Sequence, residues 1–317
     1  MANHNKEEGG VYMKSVIITG ANSGLGKEVA RQLAQLPDTK RIILACRNEE
    51  RAKAAQKSLE ETTGKSIFEI ILMDVSKLDS VKAAVASIKE PVEGLVMNAG
   101  GMGGVQFSEK TVDGVTQMVA VNVLGHVVLL DELLKAKKLT KVAMYSGSEA
   151  SRGISKMGMK RPSLKNSSVE EFKSICDGSF YGNKRRQMIE YGPTKFLATL
   201  WMSSLSRQYP DIRFVTMSPG GSSGTDVYND LPPVMKFMFN HIGLRLLPLF
   251  GLMHKLENGA ERYVNALTDE TYKSGKFYAS KEHVLTGSVV DQSTIFNDFN
   301  NETFQDNANE AIHSFIN

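Results

Sequence analysis

Short runs of apolar, often β-branched residues alternate along this chain with longer amphipathic stretches. SVIIT (15–19) is followed by a helical pattern from Gly24 to Leu36, RIILAC (41–46) by one near 48–62, and SIFEIILM (66–73) by one near 77–90. VEGLVM (92–97) precedes a long helical stretch from about Asp113 to Lys135, and TKVAMYS (140–146) comes before a helix from about Tyr191 to Arg207. IRFVTMS (212–218) and KFYAS (276–280) supply a sixth and a seventh strand. Apolar strands alternating with helices of this length predict βαβ units and a parallel sheet covered on both faces. Right-handed crossovers make it a doubly wound α/β sheet, which binds ligands beyond the carboxyl ends of its strands.

Composition narrows the picture. The chain has 317 residues, 41% of them hydrophobic and 23% charged, enough for one hydrophobic core without metal or disulfide. A polar tail over 1–13 and one domain over 14–317 follow from the pattern. The net charge of +3 gives no broad basic field, which argues against nucleic-acid binding. Two cysteines, Cys46 and Cys176, suit a reducing compartment, and a cytoplasmic location is expected. The start, MANHNKEEGGVY, lacks the apolar core of a secretory signal. The most apolar tract, Leu231 to Leu256, is broken by prolines, Gly251 and three charges, so no transmembrane span is expected. The histidines and cysteines show no ligand spacing, so no metal is assigned, and His126 reads as a partly buried helix residue.

The candidate chemistry lies just after the strands. Thr19-Gly20-Ala21-Asn22-Ser23-Gly24-Leu25-Gly26 leads from the first strand into the first helix. Glycines there allow a tight turn and close approach of backbone to a pyrophosphate, which the helix N-terminus favours electrostatically. Asn98-Ala99-Gly100 follows the fourth strand, and Tyr191-x-x-x-Lys195 sits at the start of a helix, both side chains on one face. Asp74, Asn122 and Pro219-Gly220 complete an ordered set. On these motifs the chain resembles the short-chain dehydrogenase/reductase superfamily over about residues 14–280.

That resemblance implies a single Rossmann-fold domain and a nicotinamide cofactor. Gly20, Asn22, Ser23, Gly24, Leu25 and Gly26 would hold its phosphates. Asp74 and Val75 would flank the adenine, and Asn98, Ala99 and Gly100 the adenosine side; Pro219 and Gly220 belong to the same site. The second strand ends Ala45-Cys46-Arg47-Asn48, with no acid to bind a ribose 2′-hydroxyl. Arg47 can fork onto a 2′-phosphate, with help from Asn48 and Asn22, so NADP (NADPH) is the expected cofactor. Tyr191 would be the acid or base, its phenolate favoured by the Lys195 ammonium. Lys195 would also hold the nicotinamide ribose. The resemblance requires a serine past the fifth strand, which Ser148 or Ser146 can supply, with Ser148 the better match. It also gives Asn122 a water in a proton relay to Lys195.

Ser148 and Tyr191 stand 43 positions apart, and the intervening polar insertion (about 151–189) carries one short helical pattern near Val169–Cys176. This layout resembles the retinol-dehydrogenase-like and light-dependent protochlorophyllide reductase-like branch. The latter has Pro-Gly-Cys where this chain has Pro219-Gly220-Gly221, which argues against its photochemical C=C reduction. Residues 225–256 would form a lid, with 15 apolar side chains and 3 charged ones between Leu231 and Leu256, including Met235, Met238 and Met253. The expected activity is hydride transfer between NADPH and the carbonyl or alcohol of an apolar small molecule. A non-catalytic dinucleotide sensor on the same fold is one alternative, and protochlorophyllide reductase-like C=C reduction is the other. Relatives often dimerise through helices near 113–135 and 191–207, so a homodimer is one expectation, but the insertion bears on those faces and the quaternary state stays open.

Overall fold

The computed structural model describes residues 13–155, 158–222 and 253–316. Its eight-stranded sheet has the order β3-β2-β1-β4-β5-β6-β7-β8. The strands are β1 Ser15–Thr19, β2 Arg41–Cys46, β3 Phe68–Leu72, β4 Val92–Met97, β5 Leu139–Ser146, β6 Arg213–Met217, β7 Lys276–Ser280 and β8 Val289–Asp291. The first seven pair in parallel, and β8 closes the edge antiparallel to β7. The seven expected strands are all present, with ends shifted by two residues at most. The eighth has three residues and is fixed by its pairing with β7, not by a pattern of its own.

Side chains alternate between the two faces of a strand, and each face has its own core. Ile17, Leu95, Ala143 and Tyr145 belong to one apolar cluster; Val16, Ile18, Val96 and Met144 belong to the other. The second face is covered by α1 (Gly24–Gln35), α2 (Glu49–Thr63) and a helix near the C-terminal part of the chain, α7 (Leu256–Thr268). The first is covered by α3 (Leu78–Ser87), α4 (Gln117–Lys135) and α6 (Gln187–Gln208). Helix α4 is long and apolar enough to cross a membrane, but it lies mostly buried in the fold as a core helix. It crosses the β3–α3 connection at backbone distance: a Cβ on Gly125 would stand 1.8 Å from the carbonyl oxygen of Val75. Its ladder widens to a π turn over Ala120–Leu124. Helix α6 begins at Gln187, four residues before the expected start, and carries Pro193 near its opening.

The insertion contributes α5 (Val169–Asp177), capped by Ser168, whose hydroxyl accepts from the Glu171 amide at 3.2 Å. The sequence pattern gave no sign of a last helix, α8 (Glu302–His313). It packs along α5 and α6, burying Ala308, Ala311 and Ile312, and Arg207 of α6 pairs with its Asp306. Helices α4 and α6, expected as dimer faces, therefore already meet α8 of their own chain. His313 bonds Asp131 of α4 at 3.0 Å. The expected lid falls almost entirely on residues 223–252, outside the described residues.

The Asp131 hydrogen bond raises the His313 pKa above its ordinary value. A raised folded-state pKa means this contact stabilises fully below the unfolded histidine value of about 6.5 and fades as pH rises through the folded value. His313→Gln is therefore expected to lower the thermal midpoint near pH 5.5 and to leave it almost unchanged near pH 9. Melts of the two proteins across that range check this; an equal loss at both ends would contradict it.

Candidate active site

The glycine loop folds as a cradle against the end of β4. Gly20 has a φ of +66°, the left-handed region that favours glycine. A Cβ on Gly26 would meet the Gly20 carbonyl oxygen at 2.5 Å and Asn98 Nδ2 at 2.6 Å. Asn98 donates from Nδ2 to the Thr19 carbonyl at 2.9 Å, while the amides of Asn98 and Ala99 donate to Thr19 Oγ1 at 2.9 and 2.8 Å. Helix α1 opens at Gly24 with no acidic residue in its first turn and no capping bond from the Ser23 side chain. Its leading amides and positive dipole end therefore face the loop, a setting that suits an anion.

Lys195 is only 3% exposed, so its amine must be partnered inside the protein. Nζ donates to the Ser146 carbonyl at 3.0 Å and to the Tyr145 hydroxyl at 3.2 Å. Burial pulls its pKa from the lysine range down to about 7. Tyr191, half-buried on the same helix, has its ring centroid 5.6 Å from that Nζ. Gly100 leaves space on the third side: a Cβ there would lie 2.6 Å from Asn122 Oδ1 and 3.8 Å from Lys195 Nζ.

Asn122 lies in the π turn of α4. Its side chain bonds the Gly101 carbonyl at 2.7 Å and the Met118 carbonyl at 2.9 Å, and accepts from the Gly101 amide at 3.1 Å. Its backbone carbonyl accepts from the Tyr145 hydroxyl at 2.9 Å and faces His126 Nδ1 at 3.2 Å. A carbonyl only accepts, so Nδ1 carries the proton and Nε2 is an acceptor. Thr19, 3.1 Å from Nε2, then donates to it. Burial pushes His126 down to about 4 and keeps it neutral, a structural member of the network. The Tyr145 hydroxyl bridges the two, donating to the Asn122 carbonyl and accepting from Lys195 Nζ.

The two serines are sorted by neighbours. Ser146 Oγ lies 2.5 Å from the Tyr263 hydroxyl of α7. Ser148 caps the short helix Glu149–Arg152, accepting from the Ala150 amide at 3.2 Å, a bond that leaves its own proton to donate. That helix touches α6 next to Tyr191, where a Cβ on Gly192 would come within 2.9 Å of the Ala150 carbonyl. The insertion grips the same point. Arg185 forks onto the buried Glu190 carboxylate at 2.5 and 2.9 Å, and Gln187 Nε2 bonds the Gly104 carbonyl at 2.5 Å.

The remaining expected residues divide. Arg47 is exposed at the end of β2. Asn48 spends its side-chain oxygen capping α2, accepting from the Arg51 amide at 2.8 Å. Asp74 Oδ1 holds the Ser76 amide and hydroxyl at 3.0 and 2.7 Å in a local turn, and Val75 packs into the core. Pro219 and Gly220 form a turn held by two contacts. The Gly220 amide bonds Ser218 Oγ at 3.1 Å, His254 Nε2 lies 2.8 Å from the Pro219 carbonyl, and Gly220 has a φ of +73°. Sequence reasoning missed Tyr145, Tyr263 and the buried pair of Glu149 and Arg262, 3.9 Å apart. Polar groups in an apolar strand or helix were their only signal.

Comparison with known proteins follows the same lines. The family model for short chain dehydrogenase matches residues 14–148. Short chain dehydrogenase yanD of Aspergillus niger is 30% identical over 301 residues, covering 89% of this chain and 84% of that protein. Retinol dehydrogenase 11 of Homo sapiens is 36% identical over 128 residues, 39% of each chain. Among solved structures, L-sorbose reductase from Gluconobacter frateurii, complexed with NADPH and L-sorbose, shares the fold with a TM-score of 0.61 at 19% identity, over 88% of this chain and 98% of that one. With the glycine cradle, the buried lysine and the tyrosine before it all in place, a likeness running nearly the full length of both chains settles the family: this protein is an oxidoreductase of the short chain dehydrogenase family.

Proposed function

We propose that the enzyme transfers hydride between NADP(H) and the carbonyl or alcohol group of an apolar small molecule. The observation that carries this reading is the buried Lys195 amine, held by two acceptors of β5 beside the Tyr191 ring. The cradle fits a dinucleotide: its glycines leave room where side chains would collide, and the α1 amides suit a pyrophosphate. When bound, the nicotinamide supplies or takes up the hydride. Arg47 would fork onto the 2′-phosphate, while Asp74, Asn98, Ala99 and Gly100 would line the adenosine side.

Tyr191 gives its proton to the substrate oxygen in reduction and takes it back in oxidation. The Lys195 ammonium favours the phenolate electrostatically, which brings the phenol closer to working range at neutral pH. Ser148 donates a hydrogen bond to the same oxygen. Support for an apolar substrate comes from Val105, Met188 and Ile189, exposed large apolar side chains on the two segments joined by the bond from Gln187 to Gly104. The retinol dehydrogenase likeness points the same way.

NADPH consumption with a panel of aldehydes and ketones, followed by its near-ultraviolet absorbance, tests the reaction; no turnover with any of them would refute it. Tyr191→Phe keeps the ring and removes the proton, so kcat is expected to fall by about 10² to 10⁴ with NADPH affinity within a few fold. Near-parental turnover would remove Tyr191 from the chemistry. Arg47→Asp places a like charge against the 2′-phosphate and is expected to cost tenfold or more in NADPH affinity, at roughly 1.5–3 kcal/mol per charge-assisted bond. Equal NADPH affinity in parent and variant would sink the cofactor assignment. Along a series of aliphatic aldehydes, kcat/KM is expected to rise several-fold per carbon, each buried methylene contributing about 0.8 kcal/mol. A flat series would argue for a polar substrate.

A further inference from the structure

The two bonds that hold Lys195 come from consecutive residues of β5, the Ser146 carbonyl and the Tyr145 hydroxyl. Tyr145 is fully buried, with its ring edge-on to His126 at 6.1 Å and to Trp201 at 6.2 Å. A phenol has one proton, and this one is committed to the Asn122 carbonyl, which can only accept. The phenol oxygen can therefore only accept from Lys195, and Lys195 must be the donor. The lysine Nζ also lies 4.8 Å from the Tyr145 ring centroid, a distance at which an aromatic ring attracts a cation.

We propose that Tyr145 is a positioning residue of the reaction, holding Lys195 as an ammonium donor beside Tyr191 and tying it to the backbone of α4. This rests on the roles given to Tyr191 and Lys195 above. Two neutral partners do little against the desolvation of a buried ammonium, so each one counts. The titratable groups around this point are Lys195 and Tyr191 of α6, Tyr263 of α7 and His126 of α4. His126 stays neutral, and burial pushes the phenols of Tyr145 and Tyr263 up, so both keep their protons near neutrality. Against burial, which pulls Lys195 down to about 7, the bonds it donates to the Tyr145 hydroxyl and the Ser146 carbonyl favour the charged form.

Tyr145→Phe keeps the ring contacts and removes the acceptor. In protein carrying labelled lysine, NMR titration of Lys195 is expected to give a midpoint about one pH unit lower in the variant. Turnover would then drop about tenfold near pH 8 and little near pH 6, with KM and NADPH affinity within about twofold. A Lys195 midpoint and a pH profile equal to the parent's would overturn the proposal. If the phenylalanine variant does not fold, 3,5-difluorotyrosine at position 145 weakens the acceptor without removing it. A smaller downward move of the Lys195 midpoint is then expected, and no move overturns the proposal. The lysine titration needs neither cofactor nor substrate. A protein inactive on every carbonyl but with a lowered midpoint in the variant refutes the proposed reaction and upholds the role of Tyr145; an active variant with an unmoved midpoint does the reverse.

Discussion

A buried amine imposes the central constraint on this structure. An ammonium out of water must find acceptors in the protein or lose its proton. Lys195 finds them at the carboxyl end of β5, and the surrounding elements are arranged around that point. The π turn of α4 puts the Asn122 carbonyl within reach of Tyr145; Gly100 lets the chain after β4 pass close by without a side chain. His126 and Thr19 continue the network to the glycine cradle, so the loop after β1 and the helix that carries Tyr191 and Lys195 are connected through buried and half-buried hydrogen bonds. A network of this kind holds its geometry because leaving any member unpaired is costly.

The insertion and the last helix brace the same helix from outside. Arg185 and Glu190 lock the turn just before Tyr191, and Gln187 ties it to the chain after β4. Helix α8 lies along the other end, where Arg207 and Ser204 meet Asp306. Between Glu190 and Leu205 helix α6 is buried all round save for the half-buried Tyr191, which is why that stretch shows no single apolar stripe. The proton transfer proposed for Tyr191 needs such support, since small misplacements cost large factors in rate.

The alternation of apolar strands and amphipathic helices announced the doubly wound sheet, because burial on both faces leaves a mark in every strand. Backbone freedom at a turn and two side chains one helical turn apart marked the glycine loop and the Tyr191–Lys195 spacing only weakly, and it was the family resemblance that joined them and Asn98-Ala99-Gly100 into one site. β8 was hidden because three residues show no periodicity, and α8 because its apolar positions are few, two of them alanines.

What only the folded chain decided is which side each residue of β5 faces. Tyr145 and Ser146 are neighbours in sequence, yet strand pleating sends Tyr145 to the face under α4 and α6 and the Ser146 hydroxyl toward Tyr263 of α7. The sequence alone placed Lys195 one helical turn beyond Tyr191, and its acceptors emerged only from the fold. The sequence could not name them, because Asn122 and Tyr145 lie 23 positions apart, and Tyr145 and Lys195 50 apart, and only the packing of a helix over a strand brings them within hydrogen-bond distance.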